Sequence, residues 1–393
     1  IIFGTELVIT KKIHSKKENT AKLSVDVLSL ILIIIIILAL IAANIATNLG
    51  LLFTDLNPGS VRFSTNLGAY KYKTSTTFSS GPIDTTAVNN GKIIIENYHG
   101  NISIFSNNDD SLLVEAYIEV KNNDSNLAKD YLEKAIKIDA RENIKISTQL
   151  PDNRNIICNP AVNYTIYVPQ DVDTFITNVV GNINAQDLLN TLVIDNNNGE
   201  IVVSNINGNV DIKNSLGTVQ ANNIEGIVSI DNKEGSINVE KIHGNANLTA
   251  NLGSITARDV TGYLTAKNSN GSIKATDIKG EADLKTSLGS ITMENLYKKI
   301  TASTSSGSIK LDNTFELEDD VLLSTGFGNI QVFCPSVNNA TVRASTGFGN
   351  IQSEGLLDID KKGDGCTGRA VLGNGSKSIK LTTGEGSITL HKK

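Results

Sequence analysis

Cysteine and histidine are scarce in this 393-residue chain, with three of the first and four of the second. Cys158, Cys334 and Cys366 allow at most one intramolecular bridge, which excludes a disulfide framework. Cys334 and Cys366 are the candidates if they lie in nearby coils; the alternative is three buried thiols. His14, His99, His243 and His391 are scattered, so a histidine-centred metal or triad site would require coil stacking to bring them together by accident. The net charge is low, −6, which argues against nucleic acid as a partner. A phosphate-binding glycine loop is also missing, because the glycines follow a period instead of a strand-turn-helix context.

That period is what the chain does have. Gly181, Gly199, Gly217, Gly235, Gly253, Gly271, Gly289 and Gly307 recur at every eighteenth position, and Gly208, Gly226, Gly244, Gly262 and Gly280 sit midway between them. An uninterrupted repeat of this kind marks a solenoid whose coils contact only their neighbours. Within a half-unit such as Gly253-Ser-Ile-Thr-Ala-Arg-Asp-Val-Thr261, positions three and five are apolar and positions four and six mostly polar. Period-two alternation specifies a strand with one buried face, and glycine at position one supplies either φ > 0 or a close approach between coils. Two unlike strands therefore make one coil of about 18 residues, and the expected fold is an all-β solenoid, a β-helix.

Stacking at this step generates an inner column, Ile183, Ile201, Val219, Ile237, Ile255, Ile273, Ile291 and Ile309. A corner column runs Leu188, Ile206, Ile224, Ile242, Val260, Ile278 and Leu296. Asn178, Asn196, Asn214, Asn232 and Asn268 also align, broken at Ala250 and continued by Thr286 and Thr304. They form either an asparagine ladder with amides bonded along the column or a series of turn-favouring residues. A core this thin needs many coils and capped ends.

The nine-residue form begins at Gly91, and Leu112 to Val120 reads as a further strand. Between Ser125 and Ile138, Leu127, Tyr131, Leu132, Ala135 and Ile136 have helical spacing, predicting one short helix that caps the first coils laterally. Past Phe315 the coils lengthen, since Ser324-Thr-Gly-Phe-Gly-Asn-Ile-Gln331 recurs at Ser345 to Gln352, and Gly386 to Leu390 closes the chain. The solenoid is assigned to residues 91–393.

Val27 to Ala43 contains one polar residue, Ser29, and with its extension defines an N-terminal transmembrane helix over 27–46. Lys11, Lys12, Lys16, Lys17 and Lys22 precede it and only Arg62 follows at comparable distance, so 1–26 is placed in the cytoplasm and the solenoid outside, on the cell membrane. A cleavable signal peptide ending near Ala42 and Ala43 is the rival reading; the long preceding segment favours a retained signal anchor. Residues 47–90, rich in Ser, Thr and Asn, read as an extracellular spacer, part of which could pair with the first coil. Asn101, Asn123, Asn163, Asn247, Asn270, Asn339 and Asn374 occupy Asn-x-Ser/Thr sequons, most of them attributable to composition.

Gly100-Asn-Ile-Ser-Ile104, the approach Tyr167-Val-Pro169, the repeated Gly-Ser-Ile strands and Ser-Thr-Gly-Phe-Gly-Asn-Ile together resemble the putative adhesin family of bacterial and archaeal envelope proteins, which includes the membrane-anchored LiaG-like proteins. The resemblance covers about Gly91 to Lys393 and implies a right-handed single-stranded β-helix with a surface role and no catalytic residues to transfer.

Direct signs of chemistry are few. Asp358-Ile-Asp-Lys-Lys-Gly-Asp-Gly365 is loop-like but has two lysines and no acidic twelfth position for calcium, and Asp187, Asp259 and Asp277 lack the Gly-Gly-x-Gly-x-Asp form of calcium-binding rolls. No catalytic, cofactor-binding or metal residue is assigned. The expected function is a non-enzymatic adhesion or envelope-interaction module whose partners are the lipid bilayer, through 27–46, and a cell-surface glycan or envelope protein. The competing reading is a polysaccharide lyase or hydrolase, for which Arg258 beside Asp259 is the only suitable pair.

Overall fold

The computed structural model describes residues 72–85, 91–107, 109, 111–152, 157–335 and 339–392. The chain divides into two compact units, Ile1–Gly68 and Ala69–Lys393, and the described residues belong to the second. The segments expected to be cytoplasmic (1–26) and membrane-spanning (27–46), with residues 47–71 and 86–90 of the expected spacer, lie outside them. Among the described residues no helix is long and apolar enough to cross a membrane.

Alternation of apolar and polar residues builds two sheets, of fifteen and sixteen strands among the described residues. From β8 (Thr174–Val180) and β9 (Ile183–Leu188) as far as Cys334 the chain places one strand in each sheet per turn. β10 (Leu192–Asn198) pairs in parallel with β12 (Val210–Leu216), Leu192 opposite Val210, while β11 (Ile201–Ile206) pairs with β13 (Val219–Ile224), Ile201 opposite Val219. Each partner lies one sequence period on, and the same step carries the sheets to β22 (Ile300–Ser306) and β23 (Ile309–Asp312). The inner column from Ile183 to Ile309 and the corner column from Leu188 to Leu296 are both buried, so the core is the seam between the sheets.

The two glycine sets do different work. Gly199 has φ +151°, whereas Gly226 is not left-handed and serves close approach, since a Cβ there would lie 2.4 Å from the Gly208 carbonyl oxygen. The buried asparagines differ from an amide ladder. Asn196 Nδ2 donates to Asn214 Oδ1 at 3.2 Å, but Asn214, Asn232 and Asn268 donate to glycine carbonyls, Asn268 to Gly253 at 2.7 Å. Thr286 and Thr304 donate to the Gly271 and Gly289 carbonyls in the same way. The reason is geometric: the left-handed corner turns its carbonyl toward the seam, and a short donor reaches it directly.

Antiparallel elements close the first end. β4 (Ser111–Asn122) pairs antiparallel with β7 (Ile157–Pro169), and β1 (Tyr72–Asp84) pairs antiparallel with β4. β1 falls within the segment 47–90 assigned to the spacer, so the folded body begins before Gly91. Its Ser/Thr-rich sequence hides it because strand pairing there uses backbone bonds, with only Phe78 and Ile83 packed on the core. The helix α1 spans Ser125–Lys134, ending before the expected Ile138, and Asp124 caps it by accepting from the Asn126 and Leu127 amides. Ile136 and Ile138 instead alternate in β5 (Ile136–Ala140), which is antiparallel to β6 (Ile144–Thr148). α1 packs on β1 and β4, the outermost strands of one sheet, and Tyr131 Oη donates to the Gln149 carbonyl beyond β6 in the other. It therefore caps the end of the stack, not its side.

At the other end the strands leave chain order. β30 (Lys377–Glu385) lies between β24 (Val321–Phe327) and β26 (Ala340–Phe348), parallel to both. The last unit is thus a coil inserted between the two Ser-Thr-Gly-Phe-Gly coils. The hairpin β28 (Asp358–Lys362) and β29 (Gly365–Leu372) covers β26 in antiparallel register. Cys334 and Cys366 are both buried, but no disulfide joins them. Cys334 faces the core from β25 (Ile330–Cys334) in one sheet, while Cys366 belongs to the hairpin on the other and donates to the Gly349 carbonyl.

Candidate functional site

The histidines in the described residues occupy three separate places. His99 ends β2 (Ile93–His99) on an exposed corner. His243 Nδ1 lies 3.1 Å from Glu225, one coil away, and His391 Nδ1 lies 2.8 Å from Glu354 while its ring stacks on Phe333. The hydrogen bond from His391, then that from the Lys392 amide, holds the Glu354 carboxyl below its ordinary range. Among the described residues no group of three His, Cys, Asp or Glu side chains could hold a metal ion.

Asp187, Asp259 and Asp277 are corner residues with φ of 63°, 51° and 56°, the left-handed region in which Asp and Asn are tolerated. Asn205 donates to Asp187 at 2.9 Å and Asn295 to Asp277 at 3.1 Å, while Lys279 stands 4.0 Å from Asp259. Arg258 precedes that corner on β17 (Ile255–Val260), opposite Glu240 in the register. Asp358 to Gly365 is the hairpin of β28 and β29, with Gly363 at φ +62° in its turn.

Two open grooves lie on the sixteen-stranded sheet. The first, about 410 Å³, is lined by Glu96, Tyr98, Lys137, Asp139, Lys145 and Gln149 at the capped end. Lys145 pairs with Glu96 at 2.7 Å, and Arg141 grips both oxygens of Asp139 at 2.8 and 2.6 Å. Behind it, Thr148 donates to Asn97 Oδ1 at 2.7 Å and lies 2.8 Å from Tyr164 Oη; burial pushes the Tyr164 phenol up to about 12. The second groove, about 310 Å³, is lined by Tyr263, Thr265, Glu281, Asp283, Lys299 and Thr301. Tyr263 is 57% exposed above these polar side chains, and its amide donates to Asn245 Oδ1 at 2.9 Å, fixing the backbone beneath the ring. Sequence reasoning missed this group. Its one signal is an isolated aromatic in the column Asn209, Ile227, Asn245, Tyr263, Glu281, Lys299, visible only once the register of the repeat is imposed.

A parallel two-sheet stack, capped at both ends and built of coils that contact their neighbours, has the architecture of a solenoid. Residues 90–391 match the Toastrack DUF4097 family, and the chain belongs to that family. No curated protein matches the chain. A solved structure of a putative cell adhesion protein from Clostridium sporogenes ATCC 15579 aligns at 12% identity over 81% of this chain and 99% of that one, with TM-score 0.18. A putative adhesin from Bacteroides fragilis NCTC 9343 aligns at 13% identity over 82% and 99%, with TM-score 0.22. Alignments at these scores leave the function to be argued from this chain's own residues.

Proposed function

We propose that the protein is a membrane-anchored, cell-surface solenoid that binds an envelope polymer without altering it, an adhesion or envelope-interaction module held by residues 27–46. The observation that carries this reading is the second groove. Tyr263 offers a flat apolar ring beside the hydrogen-bonding side chains Glu281, Asp283, Lys299 and Thr301 in an open groove of the sheet. A sugar ring, with one apolar face and hydroxyl edges, is the ligand chemistry this pairing suits. The solenoid is proposed to be right-handed, since a strand returning to a parallel neighbour through a crossover almost always turns that way. Anchoring and outside location follow the lysine-rich flank before the apolar run.

The test is a binding screen of residues 69–393 against envelope glycans and envelope fractions, with Tyr263→Ala alongside. Retention of an intact glycan, weakened about tenfold or more by Tyr263→Ala, is the expected result. Shortened oligosaccharides after incubation would reverse the non-enzymatic reading, and retention indifferent to Tyr263 would remove the groove from it. Protease treatment of intact cells should release the solenoid if it stands outside the membrane.

A further inference from the structure

The residue just before each left-handed corner glycine stands at the end of a strand of the larger sheet, and the strand pairing stacks these residues in one column along the solenoid edge. In spatial order the column passes through His99, Val180, Asn198, Leu216 and Glu234, each opposite the next in the register. It continues through Leu252, Asn270, Leu288 and Ser306 to Phe327. Glu385 then stands between Phe327 and Phe348. Apolar and polar residues alternate at every coil over twelve strands. Leu216, Leu252, Leu288, Phe327 and Phe348 are 43–59% exposed.

A duplication of two coils accounts for Leu216, Leu252 and Leu288, but not for the two ends. His99 reaches Val180 across an excursion of the chain, and Phe327 and Phe348, one lengthened coil apart in the sequence, would be adjacent if the coils followed chain order. The inserted strand β30 puts Glu385 between them and restores the alternation. The pattern therefore belongs to the assembled surface.

We propose that this edge is the interface with a second copy of the same chain, paired with antiparallel axes about a two-fold. Apolar side chains repeat every two coils, about 9.6 Å at 4.8 Å per strand. A partner strand presents side chains on one face about every 6.7 Å, and a helix repeats every 5.4 Å, so either loses step along the edge. A second copy has the identical period and stays in register throughout, and its contact is self-complementary. Area agrees: twelve strands extend about 53 Å, so the roughly 800 Å² per partner of a stable interface requires a strip only about 15 Å wide. That is four or five residues along a strand. Taking the column with the residue before it and the one after the glycine, Glu200, Lys233, Glu234 and Glu385 are the only Asp, Glu, Lys or Arg residues on the strip, matching the depletion of charge at interface cores. Nothing in this pairing depends on the polymer-binding role proposed above.

The full chain in detergent, followed by sedimentation over a concentration series, tests the pairing. The variant L216N/L252N/L288N carries at each site the residue that the same corner already bears at Asn198 and Asn270, so the fold is retained, as circular dichroism will verify. A reversible dimer is expected, weakened at least about a hundredfold in the variant because each lost side chain is lost from both copies. A wild-type chain that stays monomeric at every concentration overturns the proposal. So does a dimer that the triple variant leaves unchanged, or a monomer that uses these leucines to hold a glycan or peptide instead.

Discussion

Gly199 has φ +151°, and a Cβ added to it would stand 2.0 Å from the Gly181 carbonyl oxygen of the coil beneath. Gly355 has φ +81° with nothing within 4 Å of its Cβ position. The pair separates two costs that sequence reasoning left as alternatives, backbone conformation and coil-to-coil contact. Gly355→Ala incurs only the first, about 1–2 kcal/mol. Gly199→Ala adds displacement of a backbone carbonyl that belongs to the coil beneath, for roughly 2–6 kcal/mol in all. Denaturant unfolding of the two variants should show this order, and equal losses would mean that coils slide apart easily enough to admit a methyl group.

Among the elements, the capped first end has its own chemistry. Tyr164 is buried on β7 with its hydroxyl against Thr148 of β6, so the two sheets meet there through neutral groups. Its phenol titrates at about 12 in the folded protein, raised by burial, against about 10 unfolded. A raised folded value means that the stability it contributes is complete below pH 10 and lost as pH rises toward 12. Tyr131, on α1 beside it, is raised by burial in the same direction. Alkaline titration should therefore open this end above pH 10, with tyrosinate absorbance rising together with loss of the helical signal; a helix unchanged through pH 12 would refute the coupling. Legibility differed between elements for a physical reason. The register of the repeat and both apolar columns could be read because each coil repeats the same local solution. The end of α1 was misplaced because Ile136 satisfies helical spacing from Leu132 as well as strand spacing with Ile138, and only pairing with β6 decides between them. β1 carries few buried side chains to announce it, and Tyr263 has no local pattern at all.

For the solenoid unit, order in the chain and order in space part company only near the ends, and there no local rule could have revealed the arrangement. The two Ser-Thr-Gly-Phe-Gly segments, at Ser324 and Ser345, read as successive coils, yet β30 separates them. The spacing of the edge column is testable by deleting whole coils, which leaves the corner glycines in step. Deleting one coil, residues 235–252, joins Glu234 to Gly253 and removes Leu252, leaving Leu216 and Leu288 three coils apart. Deleting two coils, residues 217–252, joins Leu216 to Gly253 and also removes Leu252, but leaves those leucines two coils apart. Both variants keep the corner glycines and the inward columns in step, so both should fold, with melting temperatures below that of the parent because nearest-neighbour interfaces are fewer. They carry the same apolar side chains on the edge and differ in phase and in the coil 217–234, whose Lys233 and Glu234 only the one-coil deletion keeps. The two-coil deletion should retain self-association within about tenfold of the parent chain, and the one-coil deletion, although longer and closer to native length, should lose it. If sedimentation shows the one-coil deletion pairing at least as well, hydrophobic content and not spacing governs the edge, and the period match with a second copy has no role.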